Sequence, residues 1–206
     1  MTHLLPDTDV VTAYKGVRSR IIELLRELPE SEATTVVPAC PDWNVAELAS
    51  HVMGVVDDIL EGRMEGVTTD PWTQAQVERL RGLTLLELAA HYEAAAERFD
   101  PTLPFVPSPV NSQLVMDAVT HEHDLREAVG RPGAHDSLAV KVAVGWLLNM
   151  AEGAGMADRL RATGVSDFDL LRSLGGRRTA AQMSAIGLPG DEIITLLAGS
   201  PLKPPA

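Results

Sequence analysis

The sequence predicts an all-α fold: a bundle of four long helices followed by a short helical extension at the carboxy terminus. Four segments repeat apolar residues at steps of three and four, which is the spacing of an amphipathic helix. Aromatic residues make up only 4% of the chain, and this composition favours closely packed helices over a sandwich or a barrel. No segment alternates apolar and polar residues strongly enough to predict a sheet.

Capping residues and proline set the bounds of the long helices. Glu47 follows Asn44 at a distance of three residues, and Glu87 follows Thr84 in the same way, so each pair forms the capping-box pattern that begins a helix. Pro29 ends the first helix, because proline lacks the amide hydrogen that a helix interior requires. The predicted long helices are residues 9–28, 44–60, 84–99 and 110–129.

The remaining segments predict shorter elements. A short helix is predicted over residues 73–81, whereas four prolines exclude a helix from residues 101–109. A further helix is predicted over residues 137–162, and glycines divide the rest of the chain into short helices. We therefore expect a four-helix-bundle core over residues 1–135, with a helical extension over residues 136–206 packed on the same domain.

The charge and the cysteine content limit the possible functions. The formal net charge is −12, and we expect neither nucleic acid nor an anionic membrane as a partner, because both bind a surplus of Lys and Arg. Cys40 is the single cysteine, which excludes an intramolecular disulfide. The sequence shows no signal peptide and no apolar stretch of the ~20 residues that span a bilayer. We therefore expect a cytoplasmic protein.

Three residues on two of the predicted helices are candidate metal ligands. His51 lies at the edge of the apolar stripe of the second helix. Asp117 and His121 are four residues apart in the fourth helix, so their side chains project from one face. A carboxylate and an imidazole within an apolar stripe are costly unless they are paired or bound to metal. Two imidazoles and one carboxylate would form a three-ligand site with positions left open, as in catalytic zinc sites.

Simpler interpretations of these residues remain open. Taken alone, His51 fits a partly buried histidine that is bonded to Glu47, one turn earlier, better than a metal ligand. Asp117 and His121 fit a hydrogen-bonded pair on a solvated face. His123 lies about 200° around the helix from His121, so we expect it at the rim of the site, behind a ligand, or in solvent. Cys40 is either a thiol near the site or a small loop residue.

Three features of the sequence carry a resemblance to a known family: His51, the run VPACPDWNV at residues 37–45 and the run DAVTH at residues 117–121. They resemble the mycothiol-dependent maleylpyruvate isomerase family, part of the DinB-like superfamily. The resemblance implies a DinB-like four-helix bundle. It also implies a metal held by a histidine of the second helix and by an acid and a histidine of a later helix, here His51, Asp117 and His121. The characterised isomerase has Glu where this chain has Asp117.

The function that this resemblance implies is that of a metal- and thiol-dependent isomerase or S-transferase. The metal would bind a low-molecular-weight thiol, mycothiol or a similar one, and present it as a thiolate to a small electrophilic substrate. Zinc suits the ligand set best, and nickel, cobalt or iron also fit it. The alternative is a helical bundle that binds a metal or a small ligand without turnover.

Overall fold

The computed structural model describes residues 2–205, which are mostly α-helical and confirm the predicted all-α fold class. Within that range, no helix has the length and apolar content needed to cross a membrane. The ten α-helices of the described residues are α1 Asp7–Glu27, α2 Val45–Glu61, α3 Asp70–Leu80, α4 Leu85–Phe99, α5 Val110–Ala128, α6 Leu138–Glu152, α7 Ala157–Ala162, α8 Asp167–Leu174, α9 Ala180–Ala185 and α10 Gly190–Leu197.

The chain divides into two compact units, and the division falls inside α1 and inside α5. The first unit takes the amino-terminal residues as far as Ala13, then Ser108–Thr120, then the chain from Ala134 onward. The second unit takes Tyr14–Pro107 and His121–Gly133. The second unit therefore contains most of α1, the whole of α2, α3 and α4, and the last turns of α5. The boundary at residue 135 that the sequence suggests stays a prediction.

In the second unit, apolar side chains of α1, α2 and α4 form the core. Tyr14 packs edge-on against Phe99 with ring centroids 5.5 Å apart, and its hydroxyl shares a 3.1 Å hydrogen bond with that of Tyr92. This bond satisfies two buried hydroxyl groups that would otherwise lose their contact with water. The other large side chains with less than 2% of their surface exposed include Ile21, Leu25, Leu48, Met53, Leu85 and Leu88.

A short antiparallel hairpin precedes α2, although the sequence analysis predicts no sheet. Strand β1 is Val36–Val37 and strand β2 is Cys40–Asn44. Asn44 ends β2 and also caps α2, because its side chain accepts the amide hydrogen of Glu47 while the Glu47 carboxylate accepts that of Asn44. The capping box predicted here is confirmed, as is the one that Thr84 and Glu87 form before α4.

The first unit contains α6 to α10. One helix predicted in this part of the chain is wrong. The segment expected to be one helix over residues 137–162 is two, α6 and α7, with a break between Glu152 and Ala157. Gly155 lies in this break with φ of +67°, a left-handed conformation that glycine adopts without strain and that a continuous helix excludes. The short helices predicted for the rest of the chain are confirmed as α8, α9 and α10.

Candidate metal centre

His51 lies in the second turn of α2 and is 5% exposed. Its Nδ1 lies 2.7 Å from Oε1 of Gln76, a residue of α3 that is fully buried. The amide nitrogen of Gln76 in turn donates a 2.8 Å hydrogen bond to Oδ2 of Asp58. The sequence-based alternative has His51 bonded to Glu47; the structure gives Gln76 as the partner of Nδ1, while the Glu47 carboxylate accepts the backbone amide of Asn44.

The partners of the Gln76 amide fix the proton position on His51. A carboxylate such as Asp58 accepts hydrogen bonds, so the NH₂ group of Gln76 faces it and the amide oxygen faces the ring. An oxygen beside Nδ1 requires a hydrogen on Nδ1. In the neutral ring Nε2 is then the nitrogen that carries the lone pair, and a lone pair is what a metal ligand must offer.

Asp58 is a buried charge that two arginines neutralise. Its side chain is 1% exposed. Oδ1 accepts a 2.7 Å hydrogen bond from Arg63 and a further one from Arg79, which leaves Oδ2 for Gln76. A buried carboxylate with these three donors is satisfied and holds its position.

His121 lies near the carboxy-terminal end of α5 and is 8% exposed. Its Nδ1 lies 3.1 Å from Oδ2 of Asp124, a fully buried carboxylate three residues later in the same helix. The ring therefore donates its Nδ1 hydrogen to Asp124, and in the neutral ring Nε2 carries the lone pair. The rings of His51 and His121 meet edge to face with their centroids 5.1 Å apart.

The three candidate ligands from the sequence lie close together. One ligand atom from each of His51, Asp117 and His121 lies within 4.8 Å of the other two. Asp117 precedes His121 by one turn of α5 and is partly exposed. The set offers two imidazole nitrogens and one carboxylate oxygen, donors that suit zinc and its neighbours in the first transition row. The donor chemistry of these residues therefore fits a divalent metal.

A second group overlaps the first at His121. Cys40, His121 and Asp124 also offer one ligand atom each within 4.8 Å of one another. Cys40 is partly exposed in β2, at the start of the hairpin strand that leads into α2. Because Asp124 accepts the Nδ1 hydrogen of His121, it acts here as a group that orients the ring. Of the two interpretations of Cys40, the structure favours a thiol near the site.

Trp43 borders the same residues. Its ring centroid lies 5.2 Å from that of His51, with the two planes tilted by 38°. Trp43 belongs to β2, one residue before the cap of α2, so the hairpin places an aromatic side chain beside the buried imidazole. This contact gives a physical role to the tryptophan in the run at residues 37–45.

His123 is buried, which excludes the solvent position among those expected from the sequence. It is 4% exposed, and its neighbours Glu122 and Asp124 are fully buried. The reason is that almost every residue from Asn111 to Leu125 is buried, so this part of α5 has no solvated face. Several charged residues in one helical turn are typical of an exposed face, but this turn of α5 is buried.

Glu122 is held by two arginines. Arg20 of α1 donates two hydrogen bonds of 2.8 and 2.7 Å to the Glu122 carboxylate, and Arg126 adds one of 2.9 Å. The spacing of four residues between Glu122 and Arg126 is a signal that the sequence contains. The sequence analysis does not identify Asp58, Gln76 or Arg20, because each acts through a contact between helices that no local spacing encodes.

The comparisons with known proteins give one finding. A family model described as the mycothiol maleylpyruvate isomerase N-terminal domain matches residues 15–136. Neither the curated proteins nor the solved structures include a match to this chain. The matched segment covers more than half of the 206 residues and includes His51, Asp117 and His121.

Proposed function

Since the chain belongs to the family of the mycothiol maleylpyruvate isomerase N-terminal domain, we propose that it is a metal-dependent enzyme that uses a low-molecular-weight thiol. The thiol is mycothiol or a similar compound, and the reaction is isomerisation of a small electrophile or transfer of the thiol to it. The observation that carries this proposal is that His51 and His121 each direct an Nδ1 hydrogen to a protein acceptor while their rings lie together.

The proposed ligands are His51 and His121 through Nε2, and Asp117 through its carboxylate. Metal-binding histidines commonly donate the hydrogen of the other ring nitrogen to a carboxylate or carbonyl group, and both rings here have such an acceptor. Three protein ligands leave room for an outside ligand, which is the pattern of catalytic sites. Zinc is the metal we propose first, with nickel, cobalt or iron as alternatives.

A divalent metal at these residues would favour the thiolate form of a thiol that binds it. The chain supports this selection through the charge of the ligand set. Asp117 is the one charged group among the three proposed ligands, so a divalent cation would keep a net positive charge that an anionic sulfur neutralises. The burial of both imidazoles strengthens that attraction, because water screens it less than at an exposed site.

The first experiment measures metal and thiol binding together. Purified protein is analysed for metal, loaded with Co²⁺ and titrated with mycothiol while the absorption spectrum is recorded. The Cys40→Ser variant is used in parallel, because the protein's own thiol lies within reach of His121. We expect a sulfur-to-cobalt charge-transfer band that grows with added thiol in both proteins, followed by thiol consumption when an electrophile such as maleylpyruvate is added.

The matched negative control is Asp117→Asn, which keeps the size of the side chain and removes its charge. This variant should bind Co²⁺ more weakly and show a smaller band at the same thiol concentration. Absence of metal from the wild-type protein, together with no Co²⁺ binding, would contradict the proposal at its first step.

A second candidate function is metal binding without turnover, and the burial of the two imidazoles favours it. His51 and His121 are only 5% and 8% exposed. A site closed to external ligands would bind Co²⁺ with no spectral change on addition of any thiol. That result would select the non-catalytic alternative.

A further inference from the structure

We propose that Gln76 is a positioning residue that relays between Asp58 and His51 and sets which ring nitrogen of His51 faces the metal. This inference rests on the proposed metal centre. It adds a residue from α3, a helix that contributes none of the three proposed ligands. Gln76 has no charge of its own, so its influence on the site is a matter of hydrogen-bond direction.

Each hydrogen bond of the relay has a fixed donor and a fixed acceptor. Arg63 and Arg79 occupy Oδ1 of Asp58, and Oδ2 accepts the Gln76 amide hydrogen at 2.8 Å. The amide oxygen of Gln76 then lies 2.7 Å from Nδ1 of His51. Reversing the amide would place an oxygen against a carboxylate and an NH₂ group against an N–H group. The contact between the amide oxygen and the carboxylate is repulsive whatever the tautomer of His51, so the amide has one stable orientation, and that orientation favours the hydrogen on Nδ1.

Burial makes this orientation costly to lose. Gln76 and Asp58 are fully buried, so neither can exchange its partner for water. If the Gln76 amide were removed, the hydrogen of His51 would be free to move to Nε2. That form of the ring directs an N–H group, and not a lone pair, at the proposed metal position.

Gly54 permits the approach of Gln76. A Cβ atom at Gly54 would lie 2.4 Å from Cβ and 2.8 Å from Cγ of Gln76, both far inside van der Waals contact. Gly54 follows His51 by three residues, so it lies on nearly the same side of α2. The missing side chain at this position thus allows α3 to bring Gln76 against the ring, and an added methyl group would displace Gln76.

The test measures the proton position directly in metal-free protein. Two-bond ¹H–¹⁵N correlation spectra of ¹⁵N-histidine-labelled protein distinguish a protonated ring nitrogen from one with a lone pair. The wild-type protein should show His51 protonated at Nδ1. In Gln76→Leu we expect a mixture of the two tautomers, and a Co²⁺ or Zn²⁺ affinity lower by about 10- to 100-fold.

Two further variants make the result specific to the relay. Gln74→Leu is the matched control, because Gln74 lies on the same helix but is exposed and bonds Glu78, so neither the tautomer nor the affinity should change. Gly54→Ala should shift both quantities in the direction of Gln76→Leu. It provides an independent measurement if Gln76→Leu fails to fold.

The NMR and metal measurements separate the two proposals. Protonation of His51 at Nε2 in the wild-type protein, or an unchanged tautomer in both Gln76→Leu and Gly54→Ala, would overturn the relay whatever the metal content. Conversely, a wild-type protein that binds no metal but shows the expected tautomer shift would support the relay and contradict the proposed function.

Discussion

The two histidines of the candidate metal centre are oriented in different ways. His121 donates its Nδ1 hydrogen to Asp124, a buried carboxylate in the same helix. His51 donates to Gln76, a neutral amide on another helix, and reaches the carboxylate of Asp58 only through that amide. One ring is therefore held by a charged group within a single helix, and the other by a neutral group across two helices.

The hydrogen bond that orients His121 is local to one helix, whereas the one that orients His51 is a tertiary contact between two helices. The contact between His121 and Asp124 spans three residues, so it forms whenever α5 forms. The contact between His51 and Gln76 requires α3 to pack on α2 in one register. We therefore expect that loosening α3 disturbs the His51 side of the site and leaves the His121 side intact.

The largest effect should come from removing either ring. His51→Ala and His121→Ala are each expected to lose bound metal completely, because two remaining ligands do not retain a divalent ion through dialysis. Metal content per chain is measured by mass spectrometry after exhaustive dialysis. His91→Ala is the control, since His91 bonds Asp57 at 2.8 Å and belongs to neither candidate group. Full metal occupancy in His121→Ala would remove the basis of the comparison.

The second effect concerns the stability of the His121 side. Arg20→Ala should lower the free energy of unfolding by about 3 kcal/mol, because it leaves the buried Glu122 carboxylate with Arg126 as its remaining arginine partner. Urea unfolding, followed by circular dichroism, gives the value. Arg26→Ala is matched to it, since Arg26 pairs with the exposed Glu93, and its loss should stay below about 1 kcal/mol. Equal losses in the two variants would mean that Glu122 does not depend on Arg20.

A third prediction tests the charged support of His121. Asp124→Ala should weaken metal binding by about 10- to 100-fold, since it removes the acceptor that orients the ring. Isothermal titration with Zn²⁺ measures the affinity. Cys40→Ser should keep the affinity close to that of the wild type if Asp117 and His51 complete the ligand set. A loss in Cys40→Ser as large as in Asp124→Ala would instead assign the metal to the group of Cys40, His121 and Asp124.

The smallest effect is expected at Asp117, the third proposed ligand. Asp117→Glu lengthens the side chain by one methylene and keeps the carboxylate. Asp117 is partly exposed, so the longer chain has room to adjust. Zinc affinity measured by the same titration should change by less than tenfold, which is about 1.4 kcal/mol. A change as large as that of Asp117→Asn would show that the position does not accept a longer ligand.

The sequence predicts the local parts of this molecule well. The capping boxes at Asn44 and Thr84 are correct to the residue, because their hydrogen bonds join positions three apart. The break after Glu152 is missed, since glycines such as Gly155 are tolerated in helices often enough to leave the prediction open.

Polar contacts between helices could not be predicted from the sequence, because they depend on how the helices pack. Nothing in the local sequence marks Gln76 or Asp58, because their hydrogen bond forms only when α3 packs on α2. His123 lies in a turn rich in charge, which is typical of a solvated surface, yet Arg20 from another helix neutralises its neighbour Glu122 and the whole turn is buried. The proposed ligands His51, Asp117 and His121 are identifiable from spacing and resemblance, whereas the groups that orient the two rings are not.

The direct junction of β2 with α2 determines where the chain can change in length. Asn44 is both the last residue of the strand and the cap of the helix, so no loop absorbs an extra residue before His51. One residue inserted between Glu47 and His51 would keep the capping box and turn the ring by about 100° around the helix axis. Residues 62–69, between α2 and α3, are all exposed, so an insertion there would not rotate His51 around its helix. Related chains should therefore vary in length after α2 and keep a fixed residue count from Asn44 to His51.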